Sequence, residues 1–136
     1  MGAQPIQKME IAAGNREIPQ ATIQTHAKFM TLDILQREVS QWASRNFPNA
    51  LPYQPLLGAV EELGELAHAH LKNEQGIRGT PEEHHAAKKD AVADAVIYLS
   101  HYCHLNGLHI ADCVETAWGE VKHRDWLKNQ KDGKTE

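Results

Sequence analysis

The chain has 136 residues, a formal net charge of −4 and a pI near 6.1, which allows one domain with a modest core and excludes the basic footprint that polymeric nucleic acid requires. Aromatic residues make up only 6%, and long runs of Ala, Leu, Glu, Lys and His favour helix. No apolar run approaches the ~20 residues of a membrane span, the N-terminus lacks a signal peptide's apolar core, and Cys103 and Cys113 show no Cys-x-x-Cys spacing, so the expectation is a cytoplasmic protein with buried, reduced thiols and no membrane partner.

In chain order, residues 1–29 are mixed and polar with no sustained period, and read as an N-terminal extension that is loose or docks on a neighbour. The helical domain is expected over residues 30–127. A first helix is predicted from Thr31 to Asn46, with Thr31 or Asp33 as its cap and Ile34, Leu35, Val39, Trp42 and Ala43 as its apolar stripe. Phe47-Pro48-Asn49-Ala50-Leu51-Pro52 breaks it, and Trp42 beside that loop suits either a core position or stacking on a base.

A second helix starts near Pro55, a good first-turn residue, and runs to about Leu71, with a loop expected from Asn73 to Gly79. Thr80-Pro81-Glu82-Glu83 has the form of a capping box and opens a third helix that lasts to Leu105, where Asn106-Gly107 stops it. From Ala91 onward that helix is apolar on most faces, which in a domain of about four helices predicts a homo-oligomer, dimer or tetramer. A fourth helix is predicted from His109 or Asp112 to Trp126, with Val114, Ala117, Trp118 and Val121 on one side; residues 128–136 read as a tail that frays or clamps a neighbour. The fold expectation is an all-α bundle.

The chemistry-bearing residues interrupt the apolar runs. Glu61-Glu62-Leu63-Gly64-Glu65 lies in the second helix, and Asp90-Ala91-Val92-Ala93-Asp94 lies in the third. Three- and four-residue spacing puts Glu62 and Glu65, Glu61 and Glu65, and Asp90 and Asp94 on shared faces, about 5–6 Å apart. Packed side by side, the two helices would crowd these carboxylates into a partly dehydrated space, where they need a hard cation; the metal expected from oxygen donors is Mg²⁺, with Mn²⁺ possible, placed between helices two and three. The plain alternative is a solvated acidic face.

These motifs, with Asp94-Ala95-Val96-Ile97-Tyr98-Leu99 and Lys122-His123-Arg124-Asp125-Trp126, resemble the MazG-like all-α nucleoside triphosphate pyrophosphohydrolases, a superfamily that includes dimeric dUTPases and dCTP pyrophosphatases. The resemblance spans about residues 31–127. It implies Mg²⁺-dependent hydrolysis of a (deoxy)nucleoside triphosphate to monophosphate and pyrophosphate, of a kind that cleans nucleotide pools. By the same resemblance Glu62, Glu65 and Asp94 match metal ligands, and Glu61 is a candidate to bind metal or orient water. The family's second motif is commonly Glu-x-x-Asp; here Ala91 stands at its first position, and Asp90, a candidate replacement ligand, is rotated by about 100° on the helix. Lys122 and Arg124 are candidates for phosphate contacts, and Tyr98 and Trp42 for the base.

Two other readings stay open. Glu65-x-x-His68 and Glu120-x-x-His123, with Glu38 and Asp94, have the spacing of a di-iron carboxylate bundle. A non-catalytic, metal-binding oligomerisation module is the other. His101 extends the Asp94–Tyr98 stripe and is a further residue in reach of a ligand.

Overall fold

A computed structural model describes residues 29–134. Most of the expected N-terminal extension, residues 1–28, lies outside the described residues. The described chain is all-α: α1 (Leu32–Asn46), α2 (Gln54–Gln75), α3 (Pro81–Leu105) and α4 (Ile110–Val121), with no strand among the described residues. None of these helices is long and apolar enough to cross a membrane.

Local chemistry accounts for most of the boundaries. Thr31 caps α1, its Oγ1 accepting from the Ile34 N–H at 3.2 Å. The capping box on α3 is complete: the Glu83 N–H donates to Thr80 Oγ1 at 3.2 Å and the Thr80 N–H donates to Glu83 Oε2 at 2.7 Å. These backbone bonds hold the Glu83 carboxyl below its usual range. α2 continues past the predicted loop start at Asn73, because nothing breaks it until Gly76 adopts the left-handed conformation at φ 65°.

α4 ends five residues earlier than predicted. Asp125 draws the chain away from the helix: its N–H donates to the Gly133 carbonyl at 2.7 Å, and its Oδ1 accepts from the Leu127 and Lys128 N–H groups at 3.1 Å. The segment read as a fraying tail thus folds back on residues 124–126 as far as it is described. Gly133, at φ 71°, lies so close to Arg124 and Trp126 that an added Cβ would sit 2.9 Å from Arg124 Cβ.

α3 is the spine. It packs against α2, α1 and α4, whereas α2 packs on no other helix. Its neighbours approach through small side chains: Ala59 and Ala69 on α2, Ala43 and Val39 on α1, and Ala91, Ala95 and Cys103 on α3 itself are buried. Gln36, buried on α1, ties the far end: its Nε2 donates to the Leu108 carbonyl at 2.8 Å, and its Oε1 accepts from the Ile110 N–H at 2.7 Å. One side chain thereby satisfies the α3–α4 turn and the first N–H of α4, which has no side-chain cap of its own. Asn106 Nδ2, donating to the Pro52 carbonyl at 2.9 Å, similarly holds the α1–α2 loop to the end of α3.

Much apolar surface remains uncovered. Ser100 is the largest side chain that is completely buried. Leu56, Val60, Leu63 and Leu71 share the side of α2 that points away from α3, with Val60 59% exposed and Leu63 56%. The predicted stripe on α4 exists but faces outward, Trp118 being 61% exposed. Of the two thiols expected to be buried, Cys103 is and Cys113 is exposed.

Candidate functional site

A groove of about 880 Å³ opens between α1, the α1–α2 loop and α3, with the first turns of α2 closing one end. Its walls are mostly apolar: Leu35, Val39, Trp42 and Phe47 from the α1 side face Ile97 and Tyr98 of α3. The Trp42 and Phe47 rings meet edge to face, centroids 5.5 Å apart at 73°. Their position beside the Pro48 break leaves both rings half-exposed at the groove, in the place where a flat ring can stack on them.

Tyr98 reaches across to α2. A Cβ at Gly58 would lie 2.6 Å from Tyr98 Cδ1 and Cζ, so the ring rests against bare backbone. Gly58 therefore has a packing reason to be glycine. Gly64, four residues beyond Val60, has nothing within 4 Å of an added Cβ and faces open space.

Two of the predicted carboxylates share this groove. Glu62 from α2 and Asp94 from α3 both line it and both are half-buried. Loss of solvent raises the Glu62 proton affinity above the ordinary carboxylate range, and the negative charges of Glu65, Asp94, Glu61 and Asp90 raise it further. The converging field predicted from the two acidic motifs is thus felt at Glu62.

The other predicted residues are placed differently. Glu61 and Glu65 are exposed on α2 and do not line the groove. Asp90 lines a separate shallow depression with Ala86, Ala87, Lys89 and Ala93. Ala91 is buried at 3% exposure, so the helix turn that carries a carboxylate in the resembling family here carries packing. Lys122 and Arg124 lie beyond α4, away from the groove, with the Arg124 guanidinium 5.9 Å over the Trp126 ring. The groove lining contains no Lys or Arg.

Among the described residues, no three His, Cys, Asp or Glu side chains come together as a ready-made metal site. A divalent cation at the groove would find Glu62 and Asp94 as its protein donors. The two Glu-x-x-His pairs are not brought together, because α2 and α4 make no helix contact and His123 lies past the end of α4.

The structure adds two residues that sequence reasoning did not single out, Asn49 and Gln54, which bring amide groups to the groove wall; Glu38, considered in the sequence only as a di-iron ligand, also lines the groove, beside Trp42. The helical spacing of Glu38 to Leu35 and Trp42 was a usable signal for its place in the groove; nothing in the sequence marked Asn49, in a loop held by the Asn106–Pro52 hydrogen bond. Compared with known proteins, the chain matches no family model, no curated protein and no solved structure.

Proposed function

We propose that the protein is a Mg²⁺-dependent hydrolase that converts (deoxy)nucleoside triphosphates to monophosphate and pyrophosphate, of the MazG-like kind that cleans nucleotide pools. The observation that carries the reading is the pairing of Glu62 and Asp94, from two helices, in the wall of an aromatic-sided groove large enough for a nucleotide. Their donor set is oxygen only, and loss of solvent together with the surrounding carboxylates raises the proton affinity of Glu62, a cost that a bound cation would relieve. That set fits Mg²⁺, which is bound typically by one or two carboxylates plus substrate phosphates and water; Mn²⁺ suits the same donors.

In this reading Glu62 and Asp94 hold the cation. Bound there, it supplies charge neutralisation and Lewis acidity at the phosphoryl oxygens. Glu61 and Glu65 neighbour Glu62 on α2 outside the groove lining, so a base role for either requires the attacking water to lie at the groove's edge, where Glu65, one helical turn from Glu62, would accept its proton. Water's oxygen bonds to the α-phosphorus as the bridging α–β P–O bond breaks, and pyrophosphate leaves with the electron pair. The groove excludes water from the sugar and base, with Trp42 and Tyr98 providing aromatic faces.

The reading includes a homo-oligomer, dimer or tetramer. It is supported by the Leu56–Val60–Leu63–Leu71 face of α2 and the Val114–Trp118–Val121 face of α4, which no part of the described chain covers. A second copy seated on these faces removes apolar area from water at about 25 cal/mol per Å². Because the groove has no Lys or Arg of its own, Lys122 and Arg124 contact phosphate only if a neighbouring copy presents them.

A second reading, a metal-binding module without turnover, is favoured by one observation, the buried Ala91 at the position where the resembling family carries a carboxylate. One experiment separates the two. Purified protein is incubated with Mg²⁺ and a panel of nucleoside triphosphates, products are resolved, and Glu62→Ala is run alongside. Monophosphate plus pyrophosphate, lost in the variant, establishes the hydrolase; a metal-dependent rise in melting temperature without cleavage establishes the module.

A further inference from the structure

His101 is the one strongly buried polar side chain in the groove that lacks a partner. It is 8% exposed, it lines the groove, and its ring nitrogens make no hydrogen bond among the described residues. The comparison with His84 is informative: that ring is equally buried, but its Nε2 is engaged with the Ile77 carbonyl at 3.1 Å and so serves the α2–α3 turn. Gln36 and Ser100, the other buried polar side chains, are likewise hydrogen-bonded. No buried side-chain nitrogen or oxygen sealed from solvent goes unpaired among the described residues, so the His101 nitrogens keep some opening, and the groove is the cavity that His101 lines.

Position along α3 says what lies there. His101 is seven residues beyond Asp94, two helical turns or about 10.5 Å along the same face. With phosphates held at Glu62 and Asp94, that distance passes the sugar and reaches the base. Ile97 and Tyr98 fill the intervening turn, and Trp42 stands across the groove. Burial and the nearby His104 keep the imidazole in its neutral form, which offers one donor and one acceptor, a pair suited to the edge of a heterocycle.

We propose that His101 is a specificity-determining residue that hydrogen-bonds the base edge of the bound nucleotide, while Trp42 covers the base's face. The inference rests on the nucleotide reading above. It assigns His101 to recognition and not to the reaction: the residue sits two turns from the carboxylates and touches no reacting atom.

The test compares wild type with His101→Leu, which keeps an apolar side chain of moderate size, and His101→Gln, which retains a donor and an acceptor. Each is titrated calorimetrically with the four common nucleoside monophosphates and assayed with the matching triphosphates and Mg²⁺. The expected result is a preferred base in wild type, a loss of about tenfold in that base's affinity in His101→Leu, and recovery of most of it in His101→Gln. In turnover the loss falls on KM and leaves kcat unchanged, a split that a merely structural role would not produce. Melting temperatures within about 2 °C of wild type confirm that the variants fold. His101→Leu binding all four monophosphates with the wild-type ranking overturns the inference. So does a wild type that binds none of them. Retained, His101-dependent binding without any cleavage supports the inference and removes the hydrolase reading alone.

Discussion

Gly58→Ala tests how the groove is built, because the substitution sets two effects of known size against each other. In a helix interior Ala is favoured over Gly by about 1 kcal/mol. Against that, the new Cβ would stand 2.6 Å from two Tyr98 ring carbons. Carbon atoms rest at about 3.5–4.0 Å, so the ring or the whole of α2 must retreat by roughly 1 Å. Overpacking of this kind typically costs about 1–3 kcal/mol. The net expectation is a loss of about 1 kcal/mol, or about 4 °C in a domain of this size. Removing the ring removes the conflict. In a Tyr98→Ala background, Gly58→Ala is therefore expected to stabilise by about 1 kcal/mol, giving a coupling of about 2 kcal/mol between the two positions. The assay is urea and thermal unfolding of the four proteins by circular dichroism at one protein concentration, since association shifts apparent stability. If Gly58→Ala raises the melting temperature equally in both backgrounds, Tyr98 does not rest on Gly58 and the groove wall is placed wrongly.

The other predictions follow from single interactions. Glu62 holds its proton more tightly in the fold than in the unfolded chain, so its contribution to stability is present below the ordinary carboxylate value of 4.5 and is lost as pH rises through the raised value. Without metal, Glu62→Gln should therefore gain in melting temperature on wild type between about pH 4 and pH 7, and Mg²⁺ should raise wild type but not the variant; parallel curves would sink this. Gln36→Leu leaves the Ile110 N–H and the Leu108 carbonyl without their partner and should cost about 1–3 kcal/mol, measured by urea unfolding, with an unchanged midpoint as the contrary result. Val60→Glu with Leu63→Glu places charges on the uncovered face of α2 and should shift the light-scattering mass toward that of one chain; a mass unchanged from wild type would place the interface elsewhere.

The elements whose chemistry is local were legible in the sequence. The α3 cap was, because Thr80, Pro81 and Glu83 satisfy its first N–H groups within one turn whatever else the chain does. So was the all-α character, and so was the grouping of carboxylates along each helix, since helical spacing fixes which side chains of one helix share a face; that Glu62 and Asp94 line one groove is a matter of how α2 and α3 pack. The end of α4 was not legible: it depends on Asp125 bonding to Gly133, a contact that propensity along the helix does not report.

Which face of each helix meets a neighbour was decided only by tertiary packing. The Val114–Trp118–Val121 stripe has the period of a core face, yet it stays outside, because α4 meets α1 and α3 only lightly and buries only its first residue, Ile110. Gln36 reads in sequence as an ordinary surface polar residue and becomes the buried clasp of the α3–α4 turn through a contact 74 residues away. Asp90 and Ala91 show the same division. Sequence placed them one residue apart near the acidic motif; packing against α2 buried the methyl group and turned the carboxylate to a different surface. A one-residue step rotates a side chain by about 100° about the helix axis, so small offsets in sequence become different sides of the molecule once the helix has a partner.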